Sequence, residues 1–320
     1  MTVGATVRAP ARIAALARVA MCVLVLVVGG PRAAHAQDPP NDTVVHRVRQ
    51  GDSLELIAAE FYGDRTKAVF IMVANKMTHV RPLRPGERLR VPISREVATA
   101  PGETFESLAA TYLGSARRGT FLASFNGMSS DDGVPAGTVL TIPFTIVHTA
   151  GSVESISDIA KAYFGDGKNT EMLRRYNFLE KNSIDRGEPL LVPVYTVRLT
   201  PAKTPALDVE SRARREHRRE AIARAARALP AARQSWKDGD FAAVRSTLAP
   251  LEPDLDYLDT RDAVELGVLL GAAHVAFDET EPAVALFKRA LDRQANHALK
   301  RYDTSPRILD VWQKAGGQVE

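Results

Sequence analysis

Gly51-Asp52-Ser53-Leu54-Glu55-Leu56-Ile57-Ala58-Ala59-Glu60-Phe61-Tyr62-Gly63 is the stretch whose reading decides the fold. Leu54, Ile57, Ala58 and Phe61 recur at i, i+3, i+4 and i+7, the spacing of one buried helix face; Asp52 or Ser53 is placed to cap its start and Gly63 to stop it. The pattern returns in Phe105, Leu108, Ala109 and Tyr112, and again in Ile156, Ile159, Ala160 and Tyr163. Gly63, Gly114 and Gly165 lie 51 residues apart, as do Asn75, Asn126 and Asn177. The runs Asp52-Ser53-Leu54, Glu103-Thr104-Phe105 and Glu154-Ser155-Ile156 keep the same step. A period of this length marks a repeated supersecondary unit.

Around each helix the unit has a fixed layout. A short extended piece precedes it (His46 to Arg49, Val97 to Thr99, Ile146 to His148), and a second helical pattern follows, ending at the recurrent Asn. A turn and a strand ending in proline close each copy, at 83–92, 134–143 and 184–193. The third ending arrives one residue early, as a deletion in a surface loop would produce.

This layout resembles LysM, the lysin motif: an extended segment, a Gly-Asp-Ser-Leu turn, an Ile-Ala helix, Asn at the end of the second helix, and the ending Leu83-Arg84-Pro85-Gly86-Glu87-Arg88-Leu89-Arg90-Val91-Pro92. The second copy keeps Gly102-Glu103-Thr104, Asn126, Gly137 and Ile142-Pro143, with Pro135 one place early; the third has Val153 in the glycine position and Arg186-Gly187 without the preceding proline. The resemblance implies an α+β chain of three tandem βααβ modules, at 45–93, 95–144 and 145–194. It also implies a ligand, a glycan containing N-acetylglucosamine, held in a shallow groove between the first strand–helix turn and the loop before the last strand. In the first copy that groove would be built by Gly51, Asp52, Ser53, Leu54, Leu83, Pro85 and Gly86. In the second it would be built by Gly102, Glu103, Thr104, Phe105, Val134, Pro135 and Gly137. The same residues also suit a purely structural role, as turn glycines, helix caps and core.

Thr200-Pro201-Ala202-Lys203-Thr204-Pro205 reads as the heart of a linker, 195–207, and residues 208–320 as an all-α domain. Its expected helices are Val209 to Leu229, Ala231 to Lys237, Phe241 to Leu248, Thr260 to Phe277, Glu281 to Gln294 and Pro306 to Lys314. Gly271, with Ala283-x-x-x-Phe287-x-x-Ala290, resembles a tetratricopeptide hairpin and implies a protein partner for this domain. The run Arg212 to Arg219 reads as a charged helix face relieved by Glu210, Glu216 and Glu220.

Net charge is +4, but residues 1–36 carry Arg8, Arg12, Arg18 and Arg32 and no acid, which leaves 38 basic against 38 acidic residues. Nucleic acid is therefore not an expected partner. The Arg-bearing start, the apolar stretch Val19 to Val28 and Ala34-His35-Ala36 read as a signal for export, too short to span a bilayer, with the mature chain in the periplasm or cell envelope and carrying no transmembrane span. Cys22 lies inside that stretch, so the mature chain has no thiol nucleophile, disulfide or cysteine-ligated metal. The histidines are scattered singly, with no His-x-x-x-His or His-x-His pair, and no cofactor or metal is expected. The reading is a non-catalytic envelope protein holding peptidoglycan or a related glycan. Its alternatives are a structural hub of a secretion or pilus assembly with degenerate repeats, and a cell-wall hydrolase.

Overall fold

The computed structural model describes residues 43–130 and 133–320, and the expected export signal of residues 1–36 lies outside the described residues. The first unit runs β1 (Thr43–Arg47), α1 (Leu54–Tyr62), a 3-10 turn, α2 (Ala68–Ala74) and β2 (Arg88–Pro92). The second runs β3 (Arg95–Ala98), α3 (Phe105–Leu113), a 3-10 turn, α4 (Gly119–Phe125) and β4 (Val139–Ile142). The third follows the same order with β5 (Thr145–Thr149), the short β6 (Glu154–Ser155), α5 (Ile156–Phe164), a 3-10 turn, α6 (Thr170–Tyr176), the short β7 (Ser183–Ile184) and β8 (Pro189–Pro193). Outer strands pair antiparallel in every unit, with Val45 opposite Arg90, Val97 opposite Leu140 and Val147 opposite Leu191. The first strand starts at Thr43, upstream of the expected His46.

Three devices repeat. Ser53, Thr104 and Ser155 cap the first helices, each hydroxyl accepting a first-turn N–H at 3.3, 3.2 and 3.1 Å, and satisfying a donor that the helix cannot pair itself. Gly63, Gly114 and Gly165 end those helices at φ 69°, 75° and 88°, left-handed values that a Cβ opposes. The third device is the Asn. Nδ2 of Asn75 donates to the carbonyls of Ile71 and Arg90, both at 2.7 Å, while Oδ1 accepts the Arg90 N–H at 2.8 Å. Asn126 treats Leu122 and Thr141 in the same way, and Asn177 treats Leu173 and Leu191. A two-stranded ladder leaves alternate amides and carbonyls of each strand facing outward, and this one side chain satisfies both groups of one such residue.

The units do not hang as separate beads. One core holds apolar residues of the first and third units together, with Phe70 stacked on Tyr163 and edge-on to Phe144, and Tyr62 donating its hydroxyl to the Pro92 carbonyl at 2.8 Å. Burial raises the Tyr62 hydroxyl far above its ordinary pKa, so it stays a donor. The second unit has its own core, built on Phe105, Leu108, Leu113, Leu122 and Leu140. Arg118 ties it to the third: Nε donates to the Tyr176 carbonyl at 3.0 Å and the guanidinium lies 4.4 Å from the Tyr176 ring centre.

The stretch expected as a linker is packed rather than loose. Val197 and Leu207 are buried. Thr200 donates from its amide to the Phe61 carbonyl and from its hydroxyl to the Glu60 carbonyl, at 2.9 and 3.0 Å, filling acceptors left over at the end of α1.

Helices α7 (Val209–Lys237), α8 (Phe241–Leu248), α9 (Thr260–Ala276), α10 (Thr280–Arg293) and α11 (Pro306–Lys314) follow. Two expectations are corrected here. Pro230 does not divide α7, which runs through it. Ala221, Ala225, Leu229 and Ala232 are buried on one side of α7, whereas Pro230 and Ala226, whose carbonyl loses its usual partner, are exposed, so packing and solvent together offset the missing bond. Nor is the domain wholly helical: β9 (Ala298–Leu299) and β10 (Gln318–Val319) form a short parallel ladder, and a 3-10 segment occupies Ala249–Tyr257. The α9–α10 hairpin closes on glycine as its pattern suggested, since a Cβ at Gly271 would lie 2.7 Å from Cδ1 of Phe287.

Candidate functional site

Two turns meet at one end of each strand pair. In the first unit Val48 N–H donates to the Glu87 carbonyl and Gly86 N–H to the Val48 carbonyl, both at 2.8 Å, so 48–52 and 84–87 form one backbone surface. The second unit repeats this through Thr99, Thr138 and Gly137, and the third through Ala150, Glu188 and Gly187. Gly51 (φ 89°) and Gly86 (φ 84°) are exposed, and a Cβ at either would meet no atom of the described residues within 4 Å. Pro85 is exposed beside them. A shallow hollow here is lined by Val48, Arg49, Phe61, Gly86, Ala202 and Lys203. Arg47, Arg49 and Lys203 bring cationic side chains to the same hollow beside its backbone groups, so it offers partners to neutral amide and hydroxyl groups and to an anionic group alike.

The acidic residues of the runs turn inward onto the backbone. Asp52 Oδ2 accepts from Arg49 N–H at 2.8 Å and lies 2.9 Å from Nε2 of His46. The His46 hydrogen bond first, then the Arg49 amide, hold the Asp52 carboxyl below the ordinary aspartate value. Glu154 takes the Gly151 N–H at 2.8 Å and pairs with His148 at 2.9 Å, and the Gly151 amide is the largest cause of its lowered pKa. Glu103 accepts from Ala100 N–H at 2.7 Å, with Val97 where the other units carry histidine. Ser53 and Thr104 are spent as caps.

Leu54, Phe105 and Val134 are 1%, 2% and 5% exposed, so they hold the turns from beneath and offer no wall to a ligand. Leu83 is half-buried on the core edge. Gly102 is exposed at φ 78°, but Pro135 and Gly137 are buried. Sequence reasoning missed His46 and His148, which stand two repeats apart and were legible by the same alignment that found the Asn. It also missed Lys203, whose Nζ lies 4.6 Å from the Phe61 ring centre, because only the fold brings 203 to 61.

A strand pair, two helices and a pair of glycine turns joined through the backbone define a LysM domain, and the LysM domain model matches residues 46–92 and 100–143. The chain carries LysM domains at those two places. It is also similar to two proteins of Mycobacterium tuberculosis, Esterase MT1326 of strain CDC 1551 and Esterase Rv1288 of strain H37Rv, each 26% identical over 148 residues. Each match covers 46% of this chain and 32% of the relative, so the chain spans about a third of the length of the curated relatives it matches.

Proposed function

We propose that this chain is a non-catalytic, exported envelope protein that holds peptidoglycan or a related N-acetylglucosamine glycan through its LysM domains, and that residues 145–194 are a third LysM module. The observation that carries the reading is the open backbone surface of the first unit, where Gly51, Pro85 and Gly86 are exposed and no described residue stands over the two glycines. A shallow site of this kind binds weakly alone. Two or more on one chain, facing a repeating polymer, gain avidity from effective concentration, often ~100-fold or more when the geometry fits. The helical domain, 208–320, is then available for a protein partner.

An esterase reading has only the names of those two relatives in its favour. It would need an imidazole beside a hydroxyl nucleophile. His148 lies 3.1 Å from the hydroxyl of Tyr163, but that hydroxyl is buried and burial pushes its pKa up to about 12, which opposes a nucleophilic role, and His79 lies 3.1 Å from the hydroxyl of its own neighbour Thr78 on an exposed loop.

Co-sedimentation of the whole chain with insoluble peptidoglycan tests the proposal. Retention that soluble chitooligosaccharide competes away is the expected result; a chain left wholly in the supernatant refutes it and favours the assembly-hub alternative.

A further inference from the structure

The three units expose the same surface to different degrees. Residues 84–86 of the first unit and 185–187 of the third are exposed, and a Cβ on Gly86 or Gly187 would meet nothing within 4 Å among the described residues. In the second unit Val134, Pro135, Ala136 and Gly137 are all buried. What lies over them is α7 and the 3-10 segment Ala249–Tyr257. Arg214 Nε donates to the Ala98 carbonyl at 2.8 Å, Ala98 N–H donates to Ser211 Oγ at 3.1 Å, and Ala136 N–H donates to the Asp256 carbonyl at 2.8 Å. A Cβ on Gly137 would stand 2.7 Å from Cβ of Arg218. Ser211 is fully buried and donates its own proton to Asp208 Oδ2 at 2.8 Å, which leaves its lone pairs for Ala98 and, at 3.3 Å, Arg214.

We infer that the second unit is the socket of the helical domain: α7 and the 3-10 segment occupy, in cis, half of the surface a glycan would take there, so the resting chain binds glycan through the first and third units, and the second opens only when α7 lifts. The inference rests on the glycan reading for its ligand, but the docking itself does not. A second feature sets the units apart in the same way. The first and third share one core and each braces its first turn with a histidine–carboxylate pair, whereas the second has a separate core and Val97 in the histidine position. A weak ligand at one shallow site does not displace three hydrogen bonds and a packed helix, so masking holds against free oligosaccharide.

Hydrogen exchange of the whole chain, with and without chitohexaose, tests this. Expected is protection of residues 49–53 with 83–87 and of 150–154 with 185–188, and none of 99–103 with 134–138. The Ala98 and Ala136 amides exchange slowly with or without the sugar. Ser211→Arg, which alters α7 and leaves every residue of the second unit in place, raises exchange at Ala98 and Ala136 by about tenfold or more and lets chitohexaose protect the second unit as well. Protection of the second unit in the unaltered chain overturns masking, as does a Ser211→Arg chain in which both amides are released and chitohexaose protects only the other two. Fast exchange at Ala98 and Ala136 in the unaltered chain overturns docking, and that readout stands even if the variant does not fold. Chitohexaose protecting no unit overturns the glycan reading and the latent site with it, while slow Ala98 and Ala136 amides would still uphold the socket.

Discussion

Alanine at Gly137, Gly86 and Gly187 separates what a turn needs from what a neighbour needs. All three glycines have φ between 75° and 84°, so the left-handed strain of an L-residue, ~1–2 kcal/mol, is common to them. Space differs. The added methyl meets nothing within 4 Å at Gly86 or Gly187, but at Gly137 it lies 2.7 Å from Arg218 Cβ and 3.1 Å from the carbonyl carbon of Arg214. Those are backbone and the root of a side chain on a 29-residue helix, so neither swings aside cheaply, and overpacking of this kind adds ~1–3 kcal/mol. Gly137→Ala is therefore expected to cost ~2–5 kcal/mol against ~1–2 for the other two. At ~2–4 °C per kcal/mol for a chain of this size, the Gly137 variant melts several degrees below both controls. The assay is urea or thermal unfolding followed by far-UV circular dichroism, with the three variants side by side. Equal losses at the three positions would refute the claim that α7 bears on Gly137.

Asn75→Ala removes the side-chain partner of the outward amide and carbonyl of Arg90, while the Ile71 carbonyl keeps the backbone N–H of residue 75, for an expected loss of ~1–3 kcal/mol by urea unfolding. Asn177→Ala behaves alike, and a neutral result at both would remove the strand-edge role given to the repeat asparagine. Acid should loosen the first turn. Asp52 has its folded pKa below the ordinary aspartate value of 3.8, so its contribution is fully present above that value and is lost as pH falls through the lowered one. Asp52→Asn should accordingly flatten the acid limb of stability against pH below about 4, and an unchanged limb counts against the His46–Asp52 brace. Gly271→Ala sets a gain in helix propensity of ~1 kcal/mol against a methyl 2.7 Å from Cδ1 of the fully buried Phe287. Overpacking at ~1–3 kcal/mol is expected to win, and a raised melting temperature would show that α9 and α10 have room to part.

Much of the fold was legible because its determinants are local. The helix face of Leu54, Ile57, Ala58 and Phe61, the hydroxyl caps and the left-handed glycines each act within a few residues of themselves, and the three units use them as read except that in the second Tyr112 is half-buried and Leu113 takes the buried place. The Asn was visible as a period but not as a function, since its partners Arg90, Thr141 and Leu191 lie 14 or 15 residues away and only strand pairing brings them round. Pro230 misled because proline is a local rule and α7 is sustained by its distant packing partners. Similarly, Thr200 and Lys203 read as linker composition, and nothing near them in sequence announces Glu60 or Phe61 as partners 140 residues away in one case.

The candidate site divides along the same line. Turn glycines announce that a backbone surface exists, since few other residues hold φ near 80°, but whether that surface meets solvent is decided elsewhere in the chain. Gly86 and Gly137 occupy the same place in their repeats and differ by only 9° in φ, 84° against 75°, yet one is exposed and the other is buried under Arg214 and Arg218. The basic run Arg212 to Arg219 follows the same logic. Read alone it is a cationic patch, but Arg214 is bonded to Ala98, Arg218 to Tyr257 and Asp259, and His217 to Asp254, so several of its charges hold α7 to the second unit and to the 3-10 segment. A repeat therefore fixes how many turn surfaces the chain can build, and the residues of the following domain fix how many of them meet solvent.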